Sequence, residues 1–174
     1  MEKSSSLNTS TVEDVINQAV DYLQTWTKKE LATIMDQHAT NGRIPLVAKI
    51  GSKGYLIGSY AVQPTKTGWW KVTYRYNEEE DLLFSSKSSA FIYILFRHNN
   101  YHNRADQILL EDSEVRRWTV KAEQYQYRYR QAAKKKNTLK TDLFYIRYQE
   151  TLSRLKQSKF LLEKSLRSAK YFKL

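Results

Sequence analysis

Residues 103–174, NRADQILLEDSEVRRWTVKAEQYQYRYRQAAKKKNTLKTDLFYIRYQETLSRLKQSKFLLEKSLRSAKYFKL, run to the last residue without Gly or Pro. Ile108, Val115, Trp118, Ala122, Tyr125, Tyr129 and Ala132 fall on alternating three- and four-residue steps, with Glu111 in the one position that is not apolar. Tyr145, Tyr148, Leu152, Leu155, Leu162, Leu166 and Ala169 repeat the pattern, with Lys159 as the exception. Both are heptad seams, each of which turns one helix face toward a partner. The break lies at Lys136-Asn-Thr-Leu139, where Asn137 or Thr138 can cap a new helix. Each arm has about 30 residues, or roughly 45–50 Å at 1.5 Å per residue. Matched lengths and a short link predict an antiparallel helical hairpin, coiled-coil-like in packing. One straight rod is the competing reading.

Charge follows the same division. Residues 1–101 hold eleven basic and ten acidic side chains, whereas residues 102–174 hold eighteen and eight. Arg128, Arg130, Lys134, Lys135, Lys136, Lys140 and Arg147 face only Asp142 within their stretch, a net of +6. In a hairpin this cluster is the tip. A projecting cationic tip concentrates positive potential where a polyanion or an acidic protein surface can reach it. Tyr125, Tyr127, Tyr129, Tyr145 and Tyr148 lie among these charges and can stack on unpaired bases while cations neutralise phosphates. Against that stands the heptad: four of these tyrosines are seam positions and therefore packing partners, and lysines at a helix turn can simply be solvated. Both a protein and a nucleic-acid partner stay open.

Upstream, the period changes. Ile44–Ile50, Tyr55–Val62, Trp69–Tyr76 and Asp81–Phe84 are rich in β-branched and aromatic residues. Between them lie Gly51-Ser-Lys-Gly54, Pro64-Thr-Lys-Thr-Gly68 and Asn77-Glu-Glu-Glu80, all turn chemistry, so three to four antiparallel strands are expected. Trp70, Val72, Tyr74 and Tyr76 share one face, suited to a core beneath a helix from about Ser88 to Arg97. Trp69, Lys71 and Arg75 share the other, a candidate second contact patch. Alternatively an N-terminal helix covers that face and buries Trp69.

That helix begins after a flexible lead, residues 1–10. Ser10 and Glu13 are spaced as a capping box, and Thr27 with Glu30 has the same spacing. Val12, Val15, Ile16, Ala19, Val20, Leu23 and Trp26 form a one-sided stripe, continued by Leu31, Ile34 and Met35. One bent helix or two short ones, ending near Asn41-Gly42, are expected.

Composition excludes several chemistries. The absence of cysteine removes disulfides, thiolate catalysis and cysteine-ligated zinc. No phosphate-binding loop, dinucleotide fingerprint or nucleophile elbow is found. His98, His102 and Asp106 are spaced as ligands along one helix face, but Asn99-Asn100 and Tyr101-His102-Asn103 read as a helix end that separates them. Glu78, Glu79, Glu80 and Asp81 are adjacent, whereas hard-cation sites gather oxygens from separated positions, so a solvated turn is expected. No catalytic, metal or cofactor site is therefore assigned, and the chain reads as non-enzymatic. Met1–Asn8 is polar and carries no secretory or transit pattern, and the longest apolar run, Ala90–Phe96, is far too short to span a bilayer. The expectation is no membrane, no secretion through a signal peptide, and residence in a reducing compartment or an assembly made there.

The sheet, the Ser-Ala-rich stretch Ser85–Phe96 and the Lys/Tyr-rich helices ending Ser168-Ala-Lys-Tyr171 together resemble small virion or accessory proteins of large tailed bacteriophages. The resemblance covers residues 45–174 and is one of texture, with no diagnostic motif, so no functional residue carries over. It implies a non-catalytic part of a particle, such as a head decoration or cement protein, present in many copies, contacting the major capsid protein, and located in the virion or host cytoplasm.

The expected architecture is thus α+β: a lead at 1–10, an α+β head at 11–101 and a basic helical hairpin at 102–174. The expected function is structural, binding an acidic protein surface. Nucleic-acid binding through the same basic tip is the alternative.

Overall fold

The computed structural model describes residues 47–50, 53–74 and 77–169. Its elements are β1 (Val47–Ile50), β2 (Gly54–Ile57), β3 (Tyr60–Pro64), β4 (Trp70–Tyr74), β5 (Asn77–Phe84), α1 (Lys87–His98), α2 (His102–Lys134) and α3 (Thr138–Ser168). The class is α+β, an antiparallel sheet followed by helices. The expected N-terminal helix lies outside the described residues.

The strands lie in sequence order, β1-β2-β3-β4-β5, each antiparallel to the next. Two expectations from the sequence are corrected by this pairing. Tyr55–Val62 is two strands rather than one: Ile57 pairs directly with Tyr60, and Gly58 between them adopts φ 55°, a conformation open to glycine. The last strand starts at Asn77, not Asp81, with Asn77 opposite Tyr74, so Asn77–Glu80 is strand rather than turn. The chain reverses earlier than composition indicates, and a register shift between Val72 and Tyr74 absorbs the difference.

Alternation places Tyr55, Ile57, Tyr60, Val62, Trp70, Val72, Leu82 and Phe84 on one face. Ile57, Val62, Val72 and Phe84 are buried there with Phe91, Tyr93 and Ile94 of α1. Phe91 stands edge-on to Tyr55, ring centroids 5.3 Å apart, and Tyr93 packs at a tilt on Phe84, 5.1 Å, joining the layers. Each such buried apolar side chain contributes about 1.5–3 kcal/mol.

The helix ends fix where the chain turns. Ser86, in extended conformation, caps α1 by accepting from the Ser89 N–H at 3.1 Å. At the other end Asn100 takes φ 63°, while Tyr101 N donates to Phe96 O and Asn100 N to Arg97 O. This is a Schellman closure with Asn in place of glycine, sealed by Tyr101 standing edge-on to Phe96. The same device ends α2. Lys136 takes φ 53°, Asn137 N donates to Ala132 O and Lys136 N to Ala133 O. Asn137 then starts α3, its side chain accepting from Lys140 N at 3.1 Å.

The two long helices lie against each other. Gln107 Nε2 reaches Ser165 Oγ at 3.2 Å, Gln126 Nε2 reaches the Tyr148 hydroxyl at 3.3 Å, and the Tyr129 and Tyr145 rings sit 5.6 Å apart. These pairs set the start of α2 beside the end of α3. Ile108, Val115, Ala122, Ala132, Leu162 and Ala169 are buried, all of them seam positions. Glu111, the interruption in the first seam, accepts from Gln107 through Oε1, while its buried Oε2 has no partner among the described residues.

Candidate functional site

The end of the α2–α3 pair farthest from the sheet gathers the basic cluster. Arg128, Arg130, Lys134, Lys135, Lys136, Lys140 and Arg147 are all exposed. Three consecutive lysines cross the end of α2, because the reversed backbone at Lys136 stops the helix within that run. Arg147 pairs with Glu150 at 3.3 Å, and the Arg128 guanidinium lies 5.9 Å from the Tyr125 ring centre. The other five cations of the cluster form no ion pair among the described residues. With α2 roughly 50 Å long at 1.5 Å per residue, this charge stands well away from the sheet.

The tyrosines divide. Tyr125, Tyr129 and Tyr148 are half-buried, and Tyr129 packs on Tyr145, so these are occupied with helix packing. Tyr127 is 64% exposed.

A second feature was missed in the sequence. Leu139, Leu143 and Ile146 are 81, 50 and 55% exposed, at i, i+4 and i+7 on α3. Their spacing draws one aliphatic stripe beside Lys136, Lys140 and Arg147. The spacing is countable in the sequence, but the second heptad seam, displaced by a few residues, is the longer pattern and masks it.

In the other candidate patch, Trp69 and Lys71 each have a partner within the chain. Lys71 donates to Asp81 Oδ2 at 3.0 Å, and Thr73 donates to Asp81 Oδ1 at 2.7 Å. These two bonds, Thr73's first, hold the Asp81 carboxyl below its ordinary value of 3.8. Half-buried Trp69 lies instead under the guanidinium of Arg116, 5.6 Å from its ring centre. Its backbone is tied to Thr65, whose N–H donates to Trp69 O at 2.7 Å. Arg75 lies outside the described residues.

Arg116 in turn donates to Asp112, a fully buried carboxylate that also binds Ser85. Trp69, Arg116, Asp112 and Ser85 thus form one chain of contacts from the sheet to α2. Nothing in the seam pattern marks Asp112, since heptad reasoning assigns an acidic residue to the surface.

Elsewhere, Tyr60, Tyr74, Tyr93, Arg97 and His102 line a cleft of about 390 Å³. Its cation is already engaged: Arg97 donates to His102 Nδ1 at 3.2 Å and lies 3.9 Å from Asp106. α1 ends at His98, so His98 and His102 belong to different helices. Among the described residues no group of three His, Asp or Glu is placed to hold a metal ion, and no helix is long and apolar enough to cross a membrane. No protein-family model matches the chain, and comparison with curated proteins and with solved structures finds no match.

Proposed function

We propose that this protein is a non-catalytic structural or assembly component whose α2–α3 pair works as a coiled-coil-like hairpin, presenting its basic end to an acidic protein surface. The resemblance to phage virion proteins makes a capsid lattice the proposed setting, with many copies docking side by side. A rigid two-helix arm suits such work because little conformational entropy remains to be lost on docking. Repetition lets weak single contacts hold together.

One observation carries the choice of partner. Leu139, Leu143 and Ile146 are exposed among the cations. Phosphates reward cations and bases reward aromatic platforms, whereas an aliphatic stripe is rewarded only by apolar surface. Covering three such side chains contributes a few kcal/mol at about 25 cal/mol per Å². The surface that matches is apolar at its centre and acidic at its rim.

Two variants test this. Leu139→Ser/Leu143→Ser/Ile146→Ser removes the stripe and leaves every charge. Lys134→Gln/Lys135→Gln/Lys136→Gln/Lys140→Gln removes charge and leaves the stripe. Capture from native extract is expected to retain a multimeric protein partner with the parent chain and to lose it with either variant. A protein that stays monomeric and alone sinks the assembly reading. Retarded migration of unrelated DNA or RNA at low salt, abolished by the glutamines and untouched by the serines, establishes the nucleic-acid alternative instead.

A further inference from the structure

The cleft of about 390 Å³ that contains Arg97 has the size of a small-molecule site, about 300–1,000 Å³. Its lining comes from the start of β3 (Tyr60), from β4 (Val72 and Tyr74), from β5 (Leu82), and from the junction of α1 with α2. Val72 is buried and Leu82 half-buried, so the lining is apolar there. The Tyr60 and Tyr74 rings stand 5.1 Å apart at 47°, and the Arg97 guanidinium lies 6.0 Å from the Tyr93 ring centre. One cation therefore sits among aromatic and aliphatic surfaces.

The contacts of Arg97 position its charge without exhausting it. A guanidinium can only donate, so its 3.2 Å contact makes His102 Nδ1 the acceptor and leaves that imidazole neutral. Tyr60 takes a second hydrogen bond. Asp106 is 3.9 Å away and its side chain is 65% exposed, so solvent screens that pair. Two of the five guanidinium N–H groups are thus taken by uncharged partners, and the fork that grips a carboxylate needs only two more.

We propose that this cleft binds a small aromatic monocarboxylate, its carboxylate gripped by Arg97 and its ring packed against Tyr60, Tyr74 and Val72. Charge selects the head group. Arg97 is the one cation among the described lining residues, because His102 is neutral in this arrangement, and Asp106 opposes a second negative charge. A phosphate monoester carries about −1.5 to −2 at neutral pH and finds no second cation here, whereas a carboxylate carries one charge and matches the planar fork. The lining selects the body: tyrosine rings and aliphatic side chains reward a flat apolar group with offset or edge contacts. The site lies at the start of α2 and the basic cluster at its end, so this binding is separate from docking at the tip.

Titration of the full-length chain with 2-naphthoate, followed by heteronuclear NMR, tests the site. The Arg97 Nε–Hε signal and the Tyr60 and Tyr74 ring signals are expected to shift together, with a Kd of about 1 mM or tighter. 2-Naphthalenemethanol keeps the ring without the charge and acetate keeps the charge without the ring. Each is expected to bind at least about tenfold more weakly. Phenyl phosphate is expected to bind more weakly than benzoate. Arg97→Lys retains the charge but loses the fork, and is expected to weaken 2-naphthoate binding about tenfold. The comparisons on the parent chain decide the matter even where that variant does not fold. An Arg97 signal unmoved at about 10 mM 2-naphthoate overturns the proposal. So does equal binding of 2-naphthalenemethanol or acetate, a preference for phenyl phosphate, or undiminished binding by Arg97→Lys. Shifts confined to Lys134–Lys140, where excess positive charge gathers any anion, overturn it as well.

Discussion

The Asp112 carboxylate accepts three hydrogen bonds from Ser85, twenty-seven residues earlier: two from the backbone N–H, at 3.0 and 2.8 Å, and one from the hydroxyl at 2.6 Å. Ser85 sits where β5 ends and α1 has not begun, so its N–H has no strand or helix partner. Asp112 supplies that partner from α2, and Arg116 Nε balances the charge at 3.1 Å. A buried polar group at a junction is thereby satisfied by one side chain that also orients the long helix.

Asp112→Ala leaves the Ser85 N–H and the Arg116 guanidinium uncompensated. The expected cost is about 3–5 kcal/mol, as for other buried pairs that lose one member. In a chain of this size that lowers the midpoint of thermal unfolding by roughly 10 °C, read by circular dichroism. Ser85→Ala removes only the hydroxyl bond and is expected to cost about 1–2 kcal/mol. Equal costs for the two variants, or a cost for Asp112→Ala below about 1 kcal/mol, count against the junction role.

Glu111→Leu is expected to stabilise. It restores the missing seam residue, removes a buried oxygen that has no partner among the described residues, and leaves Gln107 bonded to Ser165. The gain is about 1–2 kcal/mol in urea unfolding. A loss shows that the second oxygen is satisfied in solution.

Lys136 and Asn137 make opposite predictions one residue apart. A lysine at φ 53° bears the steric cost of the left-handed region, about 1–2 kcal/mol, part of which a glycine returns as unfolded-state entropy. Lys136→Gly is expected to stabilise by up to about 1 kcal/mol. Asn137→Ala removes the cap on Lys140 N and is expected to cost about 1 kcal/mol. Differential scanning calorimetry of both variants reads the signs directly, and matching signs refute the two caps.

Asp81 contributes a small acid-sensitive stabilisation. Thr73 and then Lys71 hold its folded carboxyl below the ordinary 3.8. As pH falls, the unfolded chain therefore takes up its proton first. The contribution is complete above about pH 5 and vanishes as the pH drops through the folded value, below 3.8. The gap in melting temperature between the parent and Asp81→Asn is expected to narrow from about pH 6 to about pH 3. A gap that widens on acidification contradicts the hydrogen bonds.

Local chemistry was legible in the sequence wherever it acts over a few residues. The helix over Lys87–His98 and the break at Lys136–Leu139 follow from caps and periodicity, as does the core face through Trp70 and Val72, because these depend on near neighbours. The strand boundaries were less legible. Gly58 and Ser59 sit inside a run of strand formers, and Asn77–Glu80 looks like a turn, yet pairing with Tyr60 and Tyr74 overrides both.

What the sequence alone determined is the class, the placement of charge at one end of two long helices, and the absence of cysteine chemistry. All three depend on composition and on periods short enough to count. Only the tertiary structure decided that Asp112 is buried, that the Arg116 guanidinium lies over the Trp69 ring, and that Leu139, Leu143 and Ile146 face solvent among the cations. Burial is a property of what packs across the molecule. A carboxylate four residues from an arginine reads the same on any helix until a distant Ser85 brings its N–H to it.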